Sequence, residues 1–378
     1  MSGPLLTSLR LLFTEAGKSV TEDILPDLLA FSYDDKETDE ADEICITLKD
    51  PTGKWSSKWK PDGGEVIRAY IASGTTDGKN GPELFCGKFF VDSLRTSGSP
   101  RVFEMRAVSV PMNTPIRRKM ITKAWEKRTL KGIAQEIAGD SKVELLYDSQ
   151  EDPSYDRQDQ KAESNLAFLS RLCRDAGLSI KVTDDMIVIF DQASYEKKAP
   201  VKTLVLGVSD ILSWDFESQQ SETYKTCTVS WRDSKKKSKG SAGGYNMDLE
   251  KDDGDSDSDP GYDMDLQKIK KVNPAVMTYT YVDPDVDDNG QEYQVKKRAS
   301  SIAEAKRIAR ATLRKLNLRK LTGNLTLVGD PTLVAGVVIA LEGFGSFDGR
   351  FIVERATHSV GTSGYTTSVS VRRVNTKY

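Results

Sequence analysis

The stretch SNLAFLSRLCRDAGLSIKVTDDMIVIFD, residues 164–191, predicts a helix followed by a β-hairpin. Ser164 is a suitable N-cap, and Gly177 fits the left-handed position at which many helices end. The apolar stripe between them has helical spacing and consists of Leu166, Leu169, Cys173 and Ala176. Two apolar segments then follow, with Asp184 and Asp185 at the turn between them. The stretch therefore predicts an α/β region at this place in the chain.

The residues before this stretch predict another helix and a loop. Residues 111–140 are interpreted as helical, with Thr129 as an N-cap and Gly139 just past the helix end. Its apolar stripe consists of Leu130, Ile133 and Ile137. The Tyr- and Asp-rich segment at 148–160, DSQEDPSYDRQDQ, is typical of a loop. Residues 111–195 are thus expected to form one α/β middle domain.

Both flanks of the middle domain have the pattern of β structure. Short apolar segments alternate with Gly, Pro, Asp and Ser clusters, which favours small barrels or sandwiches. In residues 1–110 the expected strands are Leu9–Thr14, Glu43–Lys49, Glu65–Ser73, Leu84–Ser93 and Arg101–Ser109. In residues 196–378 they are Leu204–Leu206, Ile211–Glu217, Lys225–Arg232, Ala275–Tyr281, Asn324–Val328, Val337–Leu341, Arg350–His358 and Thr366–Arg373. The predicted fold class is α+β and mostly β.

Two segments interrupt the second β region. Residues 233–274 are rich in Lys, Gly and Asp and have little to bury, so they predict a disordered charged insert. Residues 301–319 predict an amphipathic helix. Its expected buried stripe consists of Ile302, Ala305, Ile308, Ala309, Leu313 and Leu316. The basic opposite face is typical of a solvated surface, and contact with nucleic acid is the alternative.

Composition argues against a nucleic-acid binder and against a membrane protein. The formal net charge is −3, whereas nucleic-acid binders usually have a basic total or a strongly basic face. The chain has no apolar run near the ~20 residues that cross a bilayer. The apolar patch at Leu5–Phe13 is interrupted by Arg10 and lacks the flanks of a signal peptide. It is expected to form the first strand, and the protein is expected to be made in a cytoplasm.

The cysteines and the single histidine offer no recognisable catalytic or metal motif. Cys45, Cys86, Cys173 and Cys227 are widely spaced, so no close pair of thiolates can be read from the sequence. They are expected to be small buried hydrophobes. His358 lies in a strand-like segment without the G-x-S-x-G elbow of a hydrolase. An ordinary strand position is favoured over a catalytic one, and no catalytic, cofactor or metal residue is assigned.

A calcium loop is the nearest metal hypothesis. The segment DVDDNGQEYQVK from Asp285 places Asp287, Asn289 and Gly290 as an EF-hand loop would. The twelfth position should be a bidentate Glu, but it is Lys296. The surroundings resemble strands, so a hairpin with Asn289-Gly290 at its tip is favoured. The acidic run at 252–259 also lacks a closing Glu and predicts a solvated loop, in which weak calcium binding stays open.

Two further segments invite functional interpretations. The sequence contains no Walker loop and no Gly-rich strand-to-helix phosphate turn, and GFGSFDG, from Gly343, lies between expected strands, which favours a hairpin loop. Trp55 and Trp59, in GKWSSKWKPDGG, could stack on a sugar. A loop that its two aromatic side chains anchor against the barrel is the favoured interpretation. Pairs of carboxylates for sugar hydrolysis stay open as well, because sequence spacing does not single one out.

The order of these parts resembles the late control protein D family of phage tails. The helix–Gly–hairpin phrase at 164–191 is the most specific part of the resemblance, and the phrase TLKGIAQEIAGD precedes it. The stretch at 301–343, in which a helix leads to a strand and a Gly-Asp-Pro turn at Gly329–Pro331, is similar to the family as well. The layout is also similar to baseplate hubs of contractile phages and to the hub part of type VI spike proteins.

The resemblance implies a structural role and a division into domains. Such hubs carry two similar small β-barrels and form homotrimeric rings that join a sixfold tail tube to a threefold spike. The first barrel is expected at 1–110 and the second at 196–232 plus 320–378, with the strand-helix segment at 275–319 packing on the middle domain. The charged insert at 233–274 departs from the family pattern.

The resemblance also implies partners and a location. The expected partners are other copies of the chain, the tail tube protein and a separate trimeric spike protein, with the tape-measure and baseplate wedge proteins as further partners. Neither a membrane nor a sequence-specific nucleic acid is expected as a partner, and no cofactor is. The implied location is the tail baseplate of a virion or an injection particle. The alternatives are a tail-tip peptidoglycan hydrolase and a carbohydrate-binding tail protein.

Overall fold

The structure is a computed structural model, and its described residues are 5–13, 18–19, 21–38, 40–61, 63–75, 80–109, 116, 119–183, 186–219, 223–231, 277–284, 286, 290–299 and 301–374. Among the features predicted from the sequence, the charged insert at 233–274 and the hairpin tip at Asp184 and Asp185 lie outside these ranges. The chain divides into two compact units, one of residues 1–223 and 314–378 and one of residues 224–313.

The first part of the chain is built almost entirely of strands. The elements are β1 Leu5–Phe13, β2 Lys18–Ser19, α1 Thr21–Ile24, a 3₁₀ turn at Leu25–Asp27, β3 Leu28–Lys36, β4 Glu43–Lys49, β5 Val66–Thr75, β6 Asn80–Ser97 and β7 Val102–Val108. Strand β4 shows why these segments pair as a sheet. Its side chains alternate, so Ile44, Ile46 and Leu48 enter the core while Cys45 and Thr47 face outward.

The middle of the chain mixes helices with short strands. The elements are β8 Met120–Thr129, α2 Leu130–Ser141, β9 Glu144–Asp148, β10 Ser154–Ser164, α3 Asn165–Ala176, β11 Ser179–Val182, β12 Met186–Phe190 and α4 Gln192–Glu196. Both predicted N-caps are confirmed, because the hydroxyls of Thr129 and Ser164 accept hydrogen bonds from the backbone N–H groups of Gly132 and Ala167. Gly177 ends α3 at φ +77°, as predicted.

The last part of the chain returns to strands. The elements are β13 Lys202–Val205, β14 Ile211–Ser218, β15 Tyr224–Trp231, β16 Met277–Val282, β17 Gln291–Ala299, α5 Ile302–Asn317, β18 Leu321–Val328, β19 Val338–Glu342, a 3₁₀ turn at Gly345–Phe347, β20 Gly349–Gly361 and β21 Gly364–Arg373. The 3₁₀ turn lies between β19 and β20, which pair antiparallel, so the segment from Gly343 is the hairpin loop that was predicted.

One sheet of 13 strands runs through both β regions of the larger unit. Its path is β14-β18-β21-β20-β3-β4-β7-β6-β5-β1-β2, and β13 joins through β19, which pairs with β20. The two regions meet where β3 pairs antiparallel with β20, with Tyr33 opposite His358. Strand β3 was missing from the sequence prediction, although it is the strand that connects the regions.

Each of the two β regions encloses an apolar core of its own. Phe31, Ile44 and Phe89 belong to the first core, and Phe351 and Val371 belong to the second. Gly329 shows how closely the strands of the second region pack. A Cβ at this position would lie 2.0 Å from the ring of Tyr365, so only glycine lets this ring lie over the backbone.

Part of the predicted secondary structure of the middle region is wrong. Within the helix expected over 111–140, Met120–Thr129 forms a strand that pairs with β10, and α2 begins at Leu130. Strand β10 also occupies part of the expected loop at 148–160. Buried Trp125 explains the strand, since its Nε1 donates to Gln160 Oε1 of β10 at 3.1 Å. Helix α2 also continues past Gly139, and Lys142 takes the left-handed position at φ +56°.

The smaller unit, residues 224–313, is a three-stranded sheet with the first part of α5. The strand order is β16-β15-β17, with β15 antiparallel to β16 and parallel to β17. The predicted hairpin with Asn289-Gly290 at its tip is therefore wrong, because β15 lies between the two strands. In α5, Ala305, Ile308, Ala309 and Leu313 are buried as predicted, but Ile302 is 50% exposed.

The described fold is mostly β with few helices, and the predicted α+β class is confirmed. None of the described helices is long and apolar enough to cross a membrane. The domain boundaries drawn from the sequence stay predictions.

Candidate functional site

Three elements of the larger unit meet at a buried carboxylate. Asp35 of β3 accepts a hydrogen bond from Lys181 Nζ of β11 at 2.9 Å and another from the backbone N–H of Ala335 at 2.8 Å. Lys181 also lies 3.1 Å from Asp42 Oδ2 and donates to the carbonyl of Lys36 at 2.8 Å. One ammonium group therefore ties the middle region to β3, and Asp35 ties β3 to the loop before β19.

Burial controls the ionisation of this cluster. It raises the pKa of Asp42 to about 6, against the attraction of Lys181, and the nearby charge of Asp35 raises it further. Burial alone would lower the pKa of Lys181, but the attraction of the Asp35 and Asp42 carboxylates is stronger than this effect and raises the pKa. Lys181 therefore stays charged and compensates two carboxylates that are both almost fully buried.

A second ionic cluster surrounds Glu196, the last residue of α4. Glu196 Oε1 accepts hydrogen bonds from Arg372 Nη1 of β21 at 2.6 Å and Arg314 Nη2 of α5 at 2.7 Å. Arg372 is fully buried, and its Nε lies 3.2 Å from Glu354 Oε1 of β20. The cluster therefore joins α4, the last turn of α5 and the second β region through buried charged groups.

Glu37 lies at the edge of this second cluster, directly after β3. Its backbone N–H donates to the carbonyl of Glu354 at 3.0 Å. Burial raises the pKa of Glu37 to about 7; Arg372 opposes this rise, and Glu354 and Glu196 add to it. The carboxyl group consequently titrates near neutral pH.

His358 occupies a strand position in β20, and its ring is fully buried. Its Nε2 donates to the carbonyl of Leu333 at 3.1 Å, which places the proton on Nε2. Its Nδ1 lies 2.7 Å from Tyr365 Oη, and its ring stacks on Tyr33 at 5.9 Å. Burial lowers the pKa of His358 to about 4, so the ring is neutral and fixes the β3–β20 pairing from inside.

The two tryptophans named as a sugar-binding candidate take different positions. Trp55 is buried, and its Nε1 donates to Asp27 Oδ2 at 3.0 Å. Trp59 is 41% exposed and packs edge-on against Trp55, with 5.5 Å between ring centroids. Lys54 Nζ lies 4.4 Å and 4.2 Å from the centroids of these two rings. Trp55 thus anchors the loop as expected, whereas Trp59 remains on the surface.

The structure also locates the other candidates. Cys86, Cys173 and Cys227 are buried, Cys45 is half-buried, and all four are free thiols. Burial raises the pKa of Cys227 to about 11. Within the described ranges, three His, Cys, Asp or Glu side chains do not come together as a metal site would need. The calcium-loop positions Asp285, Asp287 and Asn289 lie outside those ranges, as does the acidic run at 252–259.

The free end of the large sheet carries exposed apolar side chains. Among the described strands, β14 pairs only with β18. We define the apolar edge patch as Leu206, Val208, Leu212 and Trp214, which are 38%, 79%, 59% and 46% exposed. Trp214 packs edge-on against Phe344, and a Cβ on the neighbouring Gly343 would contact Leu206, so both sides of the patch border this loop.

Sequence reasoning missed the charged residues of both clusters. A signal was present for Asp35, because it continues the inward alternation of Phe31 and Tyr33 in β3. A carboxylate at a core position of a strand requires a buried partner. For Glu196 and Lys181 the sequence contains no comparable signal, because their partners lie more than 100 residues away.

Comparisons with known proteins agree with this fold. A family model described as phage tail baseplate hub (GPD) matches residues 106–364. A tail protein from Neisseria meningitidis has a TM-score of 0.65 at 14% identity, over 97% of this chain and 96% of that one. The 43 kDa tail protein of prophage MuSo2 from Shewanella oneidensis has a TM-score of 0.68 at 12% identity, over 98% and 99%. Both identities are low, so these likenesses show the fold alone.

A third solved structure is a type VI secretion system component from Escherichia coli, described as similar to the bacteriophage T4 tail proteins gp27 and gp5. It has a TM-score of 0.51 at 13% identity, over 93% of this chain and 75% of that one. Among curated proteins there is no match.

Proposed function

This chain belongs to the phage tail baseplate hub family, and on that premise we propose that it is a structural hub whose three copies form a ring between a sixfold tail tube and a threefold spike. The proposed partners are further copies of itself, the tail tube protein and a trimeric spike protein, with the tape-measure and wedge proteins as additional neighbours. The proposed location is a tail baseplate or an injection particle, after synthesis in a host cytoplasm.

The continuous sheet carries this proposal. Among the described strands, its path has two different ends, β14 on one side and β1 with the two-residue β2 on the other. Exposed strand edges have unpaired backbone groups that favour pairing with another chain. Two unlike edges favour head-to-tail association, which gives a closed ring when the rotation between copies closes. The apolar edge patch beside β14 supports the same role, since removal of such surface from water favours association.

The native mass of the purified chain tests the ring. We expect about three times 41.9 kDa for the chain alone, or three copies of the chain in the complex that forms after addition of the tube and spike proteins from the same gene neighbourhood. A monomer that binds neither protein would overturn the proposal.

We also propose that the hub is not an enzyme. The only histidine is buried and neutral, with both ring nitrogens in contact with groups of the protein itself. Incubation of the purified chain with peptidoglycan is expected to release no soluble fragments. If the chain releases soluble fragments and a single carboxylate substitution abolishes this release, this part of the proposal is contradicted and a tail-tip hydrolase is favoured.

A further inference from the structure

A cavity of about 370 Å³ opens on one side of the first β region. Its deep wall is made of core side chains, Leu48 of β4 with Phe103 and Met105 of β7. Phe13 of β1 and Val66 of β5 form its flanks, and Trp59 lies at the surface. Volumes of about 300–1,000 Å³ with mainly apolar walls are typical of sites that hold small molecules. The cavity is thus large enough and apolar enough to be a ligand site.

The wall that carries Trp59 is held in place by a buried carboxylate. Asp50 Oδ1 accepts from the backbone N–H of Trp55 at 3.1 Å, and Asp50 Oδ2 accepts from the N–H and the hydroxyl of Ser56 at 3.1 and 2.7 Å. Burial alone would raise the pKa of Asp50, but these hydrogen bonds outweigh it and lower the pKa. The loop is therefore fixed before any ligand arrives, which reduces the entropic cost of binding.

The lining selects against sugars and in favour of apolar ligands. A sugar needs several hydrogen-bonding groups on the wall, but Trp55 Nε1 is bonded to Asp27, and the Asp50 carboxylate is bonded within the loop. The charged lining residues are Lys60 and Glu65, both in the surface segment that also carries Trp59. Water in such a space forms few hydrogen bonds, so an apolar ligand displaces it at little cost.

The size of the cavity distinguishes a small molecule from a side chain of a partner. A cavity of about 150 Å³ accommodates one benzene ring. This one is more than twice as large, so a single inserted side chain would leave much of it empty. An aliphatic chain of medium length or a fused aromatic ring system would fill it and contact both the Met105 wall and the Trp59 ring.

We propose that this cavity, closed on one side by the Trp55–Trp59 loop, is a binding site for a small uncharged apolar molecule, either an aliphatic chain or an aromatic ring system. Its walls come from β1, β4, β5 and β7, so the site does not involve β14, but Phe13 places one flank beside the opposite end of the sheet, where β1 pairs with β2.

The test is a fluorescence titration of the full-length chain with N-phenyl-1-naphthylamine, a neutral aromatic probe. We expect saturable binding of one probe per chain, with displacement by decanol. Trp59→Ala removes one aromatic contact and should raise the probe Kd about tenfold. Val66→Phe should weaken binding similarly, because it fills space at the flank without removing a core group.

Trp214→Ala is the matched control, since Trp214 is exposed to a similar extent but lies outside the cavity. It should leave the Kd unchanged. The proposal is overturned if binding does not saturate, if Trp59→Ala and Val66→Phe bind like the wild type, or if Trp214→Ala weakens binding equally. Displacement by the tube or spike protein, but not by decanol, would assign the cavity to a protein partner and overturn it as well.

Discussion

Strands β3 and β14 belong to one sheet, but β3 is covered by strands on both sides whereas β14 has a described neighbour on one side only. Strand β3 lies inside the sheet, between β20 and β4, and its Asp34 and Asp35 are paired with Arg355 and Lys181. Strand β14 ends the sheet path and leaves Leu212 and Trp214 exposed. The chain therefore joins its own regions through paired charges and leaves apolar surface at its free edge.

The buried ion pairs and the apolar edge contribute differently to stability and association. A buried ion pair is expensive to desolvate and often adds little net stability, but it penalises every arrangement that separates the partners. Contact with an apolar edge requires no exact geometry, and burial of its surface by another molecule is favourable. The buried charges should thus fix one geometry within the chain, and the apolar edge should supply energy for association.

The strongest test of the internal join is Lys181→Met. It leaves Asp35 and Asp42 buried beside each other without their ammonium partner. Removal of one partner of a buried ion pair costs about 3–5 kcal/mol, and we expect a loss of this size in urea unfolding at pH 7. Lys161→Met is the matched control, because Lys161 is 79% exposed and should change stability by less than about 0.5 kcal/mol. Equal effects of the two variants would show that the buried cluster does not hold the regions together.

Glu37→Gln tests the ionic cluster around Glu196, which Glu37 borders directly after β3. Below pH 4.5, the usual pKa, the carboxyl is protonated in both states, so the variant and the wild type should be equally stable. Between pH 4.5 and 7 the folded wild type retains a proton that the unfolded chain has released, so its stability falls as pH rises. Above pH 7 the glutamine variant should be more stable by up to about 3 kcal/mol. Parallel stability curves from pH 4 to 8 would contradict the raised pKa.

Local signals in the sequence were sufficient for part of this fold. The caps at Thr129 and Ser164 and the terminator Gly177 act within a few residues, so both helix starts and one helix end could be predicted. Strand β8 was mistaken for a helix because Lys, Glu, Ala and Met favour helices locally. Its partner β10 lies beyond α2 and β9 and decides the outcome through Trp125 and Gln160.

Long-range pairings were the part that the sequence did not reveal. Strand β3 has an alternating pattern up to Asp35, but its polar end resembles a loop, and its contact with Arg355 spans 321 residues. The cavity behind Trp59 was missed for a related reason. It is formed by strands from separate parts of the chain, and only the two tryptophans were visible as a local motif.

Leu212→Lys tests the free edge. Leu212 is 59% exposed, so the stability of the isolated chain should change by less than about 0.5 kcal/mol. Association should weaken at least tenfold, or about 1.4 kcal/mol, as measured by analytical ultracentrifugation. Leu146→Lys is the matched control, because Leu146 is 48% exposed and belongs to β9, outside the large sheet. If both substitutions leave association unchanged, the edge patch is not the interface.

The smallest effect is expected for Arg355→Ala, which removes an ion pair between β20 and the outer side of β3, whereas Lys181 connects β3 to the middle region. Arg355 contacts Asp34 through two parallel hydrogen bonds of 2.5 and 2.6 Å, and its side chain is 55% exposed. Exposed pairs contribute about 0.2–1 kcal/mol because water and salt screen them. We therefore expect a loss of at most about 1 kcal/mol that shrinks in 1 M salt. Arg355→Lys keeps the charge but loses the paired geometry, so it should retain part of the contribution. If Arg355→Ala costs as much stability as Lys181→Met, exposed ion pairs contribute as much as buried ones. Burial would then not explain why some ion pairs of β3 are stronger than others.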